Sequence, residues 1–203
     1  MESIKLNDQP RPLVICGPSG VGKGTIIKEL LKQHPLRFGL SVSHTTRKKR
    51  ETEVDQADYY FVERSQMWKA IQQGKFIESS EFAGNLYGTS KNAILNVIYD
   101  KKICILDLNL EGVENIKKSM DCLFLFIAPP SMEILEGRLK ERNTETEEEI
   151  QIRLRIAKMD LKFLNEHPDY FHKVIVNESL KDTCDEVIEW VFKSEEERKK
   201  GKK

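Results

Sequence analysis

The sequence predicts an α/β fold in which helices cover a parallel sheet, with a mixed α+β lobe and a helical lid added to this core. Apolar runs without alternating polar residues are typical of strands that are buried on both faces. Four such runs lie at 13–16, 103–106, 123–127 and 174–176. Helical patterns separate them, as expected when helices connect parallel strands. Between the first two runs, residues from about 38 to 90 hold short β-like segments, which indicates an inserted lobe.

These parts fit one domain of 203 residues. We assign 11–36, 98–136 and 159–193 to the core, 37–97 to the lobe and 137–158 to the lid. The last ten residues, 194–203, are almost all charged or polar, and we expect them to form a solvated tail.

Several helices and strands have recognisable ends. A helical pattern at 26–34 follows the first strand, and in the lobe one at 65–73 stops at Gly74, between short strands at 38–43, 58–62, 75–81 and 86–87. After two prolines that end the third core strand, Ser131 is placed to cap a helix. Thr144 and Glu147 have capping-box spacing before the next helix, and Thr183 and Glu186 repeat it before a last helix at 187–192.

The charge balance excludes some classes of partner. The chain has 33 Lys and Arg against 33 Asp and Glu, so its formal net charge is zero. General binders of nucleic acids or membrane surfaces need a basic excess, and we expect neither partner. The longest apolar run, 122–128, is far shorter than the roughly 20 residues that span a bilayer.

The four cysteines, Cys16, Cys104, Cys122 and Cys184, lie far apart and form no CxxC pair. Neither a disulfide framework nor a cysteine metal site is therefore expected. Acidic residues near the start replace the apolar region of a signal peptide. Together these features predict a cytoplasmic protein.

A phosphate-binding loop (P-loop) is predicted between the first strand and the helix after it. Gly17, Gly22 and Lys23 match the pattern GxxxxGK, and a strand before and a helix after it are the context that this motif requires. Glycines let backbone N–H groups close around phosphate oxygens, and the lysine adds a full positive charge. The alternative is a glycine-rich turn with an exposed lysine. The predicted ATP-binding residues here are Gly17, Pro18, Ser19, Gly20, Val21, Gly22, Lys23, Gly24 and Thr25.

The lobe and lid carry further motifs. These are TTRxxR at 45–50, GNxYGT at 84–89 and an RGTET-like segment, here RNTET, at 142–146. With the P-loop and the run Ile105-Leu-Asp-Leu-Asn109, they resemble the guanylate kinase family over residues 11–192. The resemblance implies transfer of the γ-phosphoryl group of MgATP to GMP or dGMP in purine nucleotide metabolism, by a monomer that binds these two small molecules.

The resemblance also implies a GMP site in the lobe. Arg47 and Arg50 would grip the phosphate bidentately, as lysine cannot, with hydroxyl donors from Tyr59 and Tyr87. The matching guanine contacts are Ser43, Glu78, Thr89 and Asn109, and Asp107 and Arg153 complete the GMP-binding set. The carboxylate of Glu78 can accept two donors from guanine, a pair that adenine lacks. The family usually has Asp at position 109, so with Asn109 we expect a somewhat weaker grip on GMP and room for a relaxed choice among guanine nucleotides. Thr89 replaces the family's usual Ser and keeps the hydroxyl.

Catalysis would then rest on cations. The resemblance assigns Lys23, Arg47, Arg142 and Arg153 to catalysis, and Arg138 and Arg142 to ATP. The motif usually has Ser or Thr directly after the lysine, but Gly24 stands there, so Thr25 is the candidate hydroxyl near Mg²⁺. Asp107 resembles a Walker-B acid that holds Mg²⁺ or its waters, although it could also be structural.

Two other functions stay open at the level of the sequence. Guanylate-kinase-like domains also occur as inactive binding modules in scaffold proteins, and related kinases phosphorylate other acceptors. The intact Lys23 argues against the first, and Glu78 with the two lobe arginines argues against the second.

Overall fold

The computed structural model describes residues 9–142 and 145–201, and it contains the predicted parallel sheet. The core sheet has five parallel strands in the order β2-β7-β1-β8-β9. They are β1 Leu13–Cys16, β2 Phe38–Leu40, β7 Ile103–Asp107, β8 Leu123–Ala128 and β9 Lys173–Val176. The carboxyl ends of β1 and β7 therefore lie side by side, which is where open α/β sheets bind ligands.

Helices cover both faces of this sheet. Along β1, Leu13 and Ile15 belong to one apolar cluster, while Val14 and Cys16 belong to another on the opposite face. The first cluster includes side chains of α1 Lys23–Gln33 and α7 Leu180–Gly201, and the second includes those of α3 Lys91–Tyr99 and α4 Leu110–Lys117. Burial on both faces explains why the central strands are uninterrupted apolar runs.

The inserted lobe has its own sheet of four strands in the order β4-β3-β6-β5. These strands are β3 His44–Thr45, β4 Tyr60–Phe61, β5 Phe76–Phe82 and β6 Asn85–Ser90. The helix α2 Arg64–Gln72 packs on it through Met67, which is buried with Phe76 and Leu86. This small core holds the lobe together beside the main sheet.

The predicted lid, 137–158, covers parts of two helices, α5 Met132–Glu141 and α6 Glu147–Glu166. Ser131 caps α5 as predicted, since its side chain accepts a hydrogen bond from the Ile134 N–H. The predicted cap of α6 was wrong by two residues: Thr146 and Glu149 form its capping box. Thr144, the residue predicted to cap it, lies outside the described residues.

Two predicted boundaries also need correction. Residues 38–40 were assigned to the lobe, but they form the edge strand β2 of the core sheet, where Phe38 is 1% exposed. At the other end, α3 packs Ile94 and Ile98 into the core, so the lobe ends near residue 90. Val174 and Val176 are partly exposed, because β9 is the opposite edge strand and one of its faces is open.

In the C-terminal segment, 194–203, the described residues are largely exposed, as predicted, but they are helical up to Gly201 and include one buried residue, Glu195. Helix α7 begins at Leu180, so Thr183 lies inside it and donates its hydroxyl hydrogen bond to Asn177 Oδ1 at 3.1 Å. The helix continues to Gly201 because Glu195 is buried and accepts a hydrogen bond from Arg11 Nε at 3.2 Å. Residues 202–203 lie outside the described residues.

Within residues 9–142 and 145–201, no helix combines the length and apolar character that crossing a bilayer requires.

Candidate active site

A cleft of about 830 Å³ opens at the carboxyl ends of β1 and β7, between the core, the lobe and the lid. Most of the predicted site residues line it. They are Gly17, Ser19, Gly20, Gly22, Lys23, Gly24 and Thr25 of the P-loop region, Ser43, Arg47, Arg50, Tyr59, Glu78 and Tyr87 of the lobe, and Asp107, Asn109, Arg142 and Arg153. Pro18, Val21, Thr89 and Arg138 are not among its lining residues.

The P-loop depends on glycine at two positions. Gly17 has φ +144°, and a Cβ there would lie 2.2 Å from the Ile127 carbonyl oxygen. Gly22 has φ +106°, and a Cβ there would lie 2.6 Å from Asn177 Nδ2. Both the backbone conformation and the close packing therefore exclude other residues.

Lys23 is folded back onto the loop that precedes it. Its Nζ donates to the carbonyl oxygen of Gly17 at 2.6 Å and to that of Pro18 at 3.3 Å. The same atom lies 3.9 Å from Asp107 Oδ1. Burial raises the pKa of Asp107, and the charge of Lys23 opposes that rise. Lysine and carboxylate thus meet beside the loop, at the end of β7.

Four arginines from lobe and lid line the same cleft: Arg47, Arg50, Arg142 and Arg153. Arg153 is 6% exposed and donates from Nη1 to Ser19 Oγ at 2.9 Å, which joins the lid to the P-loop. Burial lowers the pKa of Arg153, and the charges of Arg50 and Arg47 lower it further, against the opposing charge of Glu145. Such a concentration of cations suits phosphate groups.

Two carboxylates balance these arginines, and sequence reasoning missed both. Glu53 accepts hydrogen bonds from Arg47 at 2.7 and 3.0 Å. Glu145 of the lid pairs with Arg50 of the lobe and lies 3.7 Å from Arg153 Nε. In the sequence both glutamates lie among other charged residues, and only the fold brings them beside the arginines of the cleft.

Glu78 lines the lobe side of the cleft, with 5% of its surface exposed. Its Oε2 atom is buried and makes no hydrogen bond within the described part of the chain. Burial raises the pKa of Glu78 to about 7, against hydrogen bonds from Thr89. Thr89 is fully buried behind Glu78, and its hydroxyl lies 3.2 Å from that of Ser43. The Oε2 atom of Glu78 is therefore available to accept a hydrogen bond from a ligand.

Asn109 has a structural role besides the predicted one. Its Oδ1 accepts the Gly112 N–H at 2.8 Å and so caps α4. An amide oxygen can accept a second hydrogen bond, and the residue lines the cleft, so its contact with guanine stays a prediction.

Comparison with known proteins agrees with this geometry. A family model described as "Guanylate kinase" matches residues 9–194. The chain belongs to the guanylate kinase family. Guanylate kinase of Sus scrofa is 51% identical over 172 residues, which cover 84% of this chain and 86% of that protein. Guanylate kinase of Homo sapiens is 50% identical, with 84% of this chain and 87% of that protein covered.

Solved structures agree with the α/β fold. The crystal structure of guanylate kinase from Anaplasma phagocytophilum superimposes with a TM-score of 0.69 at 26% identity, covering 92% of this chain and 87% of that one. The SH3-kinase fragment of tight junction protein 3 gives a TM-score of 0.52 at 13% identity, covering 94% of this chain and 60% of that one. The second likeness shows the fold alone.

In this guanylate kinase family member, Arg138 supports the P-loop through hydrogen bonds to backbone carbonyl groups. Arg138 donates to the carbonyl oxygens of Val21 at 3.3 Å and Asn177 at 3.0 Å. The contact of Arg138 with ATP stays a prediction. Asn177, which was not predicted, donates from Nδ2 to the same Val21 oxygen at 2.7 Å. It directly follows β9, and a polar residue at the carboxyl end of a parallel strand is the signal that could have revealed it.

Asp160 of α6 is a further cleft residue that the sequence did not reveal. Burial raises the pKa of Asp160 to about 6, and the charge of Lys23 acts against that rise. It lies mid-helix between Met159 and Leu161, with a lysine on either side of these, and nothing in the pattern distinguishes it from surface charge.

Proposed function

We propose that this guanylate kinase transfers the γ-phosphoryl group of MgATP to GMP or dGMP, giving ADP and GDP or dGDP. The main support for this proposal is that Glu78 lines the same cleft as Lys23 and the four arginines. One end of the cleft offers a buried carboxylate oxygen that has no hydrogen-bond partner among the described residues, and cations line other parts of the cleft. A base with adjacent N–H donors, such as guanine, complements the carboxylate. The phosphate groups of two nucleotides complement the cations.

The chemistry needs no general base. A phosphate monoester has its second pKa near about 6, so the acceptor oxygen of GMP is largely unprotonated at neutral pH. That oxygen forms a new bond to the γ-phosphorus while the bond to the leaving oxygen of ADP breaks. Lys23, Arg142 and Arg153 stabilise the charge that spreads over the transferred group, and the lobe holds the acceptor in line.

The site fits Mg²⁺ that arrives with ATP. Mg²⁺ is usually held by one or two carboxylates together with substrate phosphates and waters. Asp107 and the Thr25 hydroxyl line the cleft beside Lys23, and we propose that they hold the ion or its waters. When bound, Mg²⁺ neutralises developing negative charge on the phosphates. Within the described residues no cluster of three or more metal-binding side chains provides another site.

The intact P-loop supports an enzyme over an inactive binding module. At the phosphate end of the cleft, the amino group of Lys23 lies beside the carboxylate of Asp107. An inactive module would have no need for this pair. Glu78 likewise supports guanine over adenine, because adenine lacks the adjacent N–H donors that its carboxylate would accept.

An assay of ADP release with GMP, dGMP, AMP and IMP tests the proposal. We expect rapid turnover with GMP and dGMP, and Lys23→Ala to lower kcat with GMP by about 100-fold or more, since it removes a charge that stabilises the transition state. The matched control is Lys32→Ala, because Lys32 lies on the same helix α1 with a side chain 79% exposed, and it should leave kcat unchanged. No turnover with GMP in the unaltered protein would reject the proposal.

A further inference from the structure

Glu53 lies at the centre of a hydrogen-bonded turn that joins the two lobe arginines. Its Oε1 accepts from Arg47 Nη2 at 2.7 Å and from Arg50 Nη1 at 3.4 Å. Its Oε2 accepts from Arg47 Nη1 at 3.0 Å and from the Arg50 backbone N–H at 2.9 Å. The Glu53 N–H in turn donates to the Arg50 carbonyl oxygen at 3.1 Å, which closes the turn. One carboxylate therefore fixes both arginines.

The way in which Arg47 is held leaves one edge of its guanidinium group open. A guanidinium group has five N–H donors. One on each of Nη1 and Nη2 goes to Glu53, and the second on Nη1 goes to the Lys48 carbonyl oxygen at 2.7 Å. The Nε–H and the second Nη2–H share the remaining edge, and within the described residues neither donates a hydrogen bond. This edge has the geometry of a bidentate phosphate contact.

Aromatic rings limit the movement of the same guanidinium group. Arg47 Cζ lies 5.5 Å from the centre of the Tyr59 ring and 5.7 Å from that of Phe61. The side chains of Arg47 and Glu53 are only 11% and 12% exposed. An arginine that is buried to this extent needs a charged partner, and a neutral partner would leave donors unpaired.

The charge state of Glu53 fits this arrangement. Burial acts to raise the pKa of Glu53, but the hydrogen bonds and charges of Arg47 and Arg50 outweigh it, so the pKa lies below its ordinary value. Glu53 is therefore ionised at neutral pH. Arg50 also pairs with Glu145, so it is the open edge of Arg47 that stays available to an incoming anion.

We propose that Glu53 is a positioning residue for the GMP phosphate: it holds the Nη1–Nη2 edge of Arg47 so that the Nε–Nη2 edge is preorganised for the phosphate. This inference rests on the proposed function. Judged by charge alone, the carboxylate of Glu53 should repel the phosphate. We assign it the opposite role, because it orients the arginines that bind the phosphate.

The test compares binding of GMP and guanosine by isothermal titration calorimetry. In Glu53→Gln the amide has one acceptor oxygen and turns an NH₂ group toward the arginines, so it cannot hold both Nη atoms. We expect GMP to bind about tenfold or more weakly, the range for loss of charge-assisted hydrogen bonds, while the Kd of guanosine stays unchanged. The KM for GMP should rise and the KM for ATP should not. Glu53→Asp, which keeps the charge, should fall in between.

Glu81→Gln is the matched control. It removes a similar two-oxygen pair with Arg64 in the same lobe, at 3.1 and 3.2 Å, but this pair is about half exposed and lies outside the lining of the cleft. It should change neither Kd.

Each other outcome overturns the inference. Equal weakening of GMP and guanosine in Glu53→Gln would mean a general structural role, and unchanged or tighter GMP binding would mean that Glu53 only competes with the phosphate. If Glu53→Gln does not fold, the same comparison on Glu53→Asp decides between these outcomes. Failure of the unaltered protein to bind GMP would instead reject the proposed function, so the two failures are distinguishable.

Discussion

Glu78 is a carboxyl group that the fold buries without a full set of partners. Burying an ionised group without compensation costs free energy, so the residue is unfavourable for folding and is useful only when a ligand supplies the missing donors. Between pH 4.5 and about 7 the folded chain keeps the Glu78 proton that the unfolded chain loses. The stability that the protonated form provides is therefore complete below about pH 4.5 and is lost as the pH rises through about 7.

Glu78→Gln tests this cost. Glutamine is neutral at every pH, so the variant should melt at a higher temperature than the unaltered protein at pH 8, with a difference of several degrees. At pH 5 the difference should shrink, because Glu78 is then protonated in the folded state. Melting followed by circular dichroism at both pH values measures it. A difference that is the same at pH 5 and pH 8 would contradict the assigned pKa.

Residue-level chemistry could be predicted from the sequence where it is local. The P-loop could be identified because its glycines and lysine are consecutive and its neighbours form a strand and a helix. Glu53 could not, since its role depends on a turn that brings its carboxylate back to Arg47 and Arg50. Asn177 and Asp160 reach the P-loop region only through the packing of β9 and α6.

Among the elements, α4 supports the candidate guanine pocket most closely. Its first turn packs against β5, so a Cβ on Gly112 would lie 3.1 Å from Glu78 Oε2 and 3.2 Å from Asn109 Oδ1. Helix propensity alone would favour alanine at this position. An added Cβ here would make the carboxylate shift by a few tenths of an ångström.

Gly112→Ala should therefore displace the Glu78 carboxylate and raise the KM for GMP by about tenfold, a loss comparable to one charge-assisted hydrogen bond. The control is Gly137→Ala in α5, where an added Cβ meets no atom within 4 Å. That change should stabilise the protein by about 1 kcal/mol and leave the KM for GMP unaltered. Steady-state kinetics and melting curves on both variants give the result, and equal KM values would refute the packing argument.

Element boundaries were predicted less well than element types. The strand β2 has only three residues, so its pattern could not show whether it belonged to the core or to the lobe. Thr183 and Glu186 have the spacing of a capping box, but α7 already begins at Leu180 because its apolar side chains pack on the core. In both cases long-range packing decided the outcome.

For the whole molecule, the net charge of zero hides a strongly uneven distribution. Arg47, Arg50, Arg142 and Arg153 gather in one cleft, where Glu53 and Glu145 balance part of their charge. Elsewhere, most ion pairs are exposed and contribute little to stability. A net charge of zero argues against a general binder of polyanions. It does not argue against a small site for phosphorylated nucleotides, because the cations of that site are concentrated in one cleft.

A buried ion pair joins the two ends of the described chain. Glu195 near the end of α7 accepts from Arg11, and the Arg11 side chain also reaches the Ser194 carbonyl oxygen at 3.2 Å. Glu195→Ala should lower the free energy of unfolding by about 3 kcal/mol, since it leaves a largely buried arginine unpaired. Glu196→Ala, a change at the exposed neighbour, should have no measurable effect. Denaturation with urea compares them, and equal stabilities would restore the description of this segment as a solvated tail.

We propose that one cleft recognises guanine through Glu78 and that its cations bind and transfer phosphate. The ratio of kcat/KM for GMP to that for AMP, measured in the unaltered protein and in Glu78→Gln, tests this proposal. A site built on hydrogen bonds to the base predicts a ratio of about 10⁴ or more in the unaltered protein, falling by about 100-fold in the variant. Equal use of AMP and GMP by the unaltered protein, or an unchanged ratio in the variant, would contradict the account.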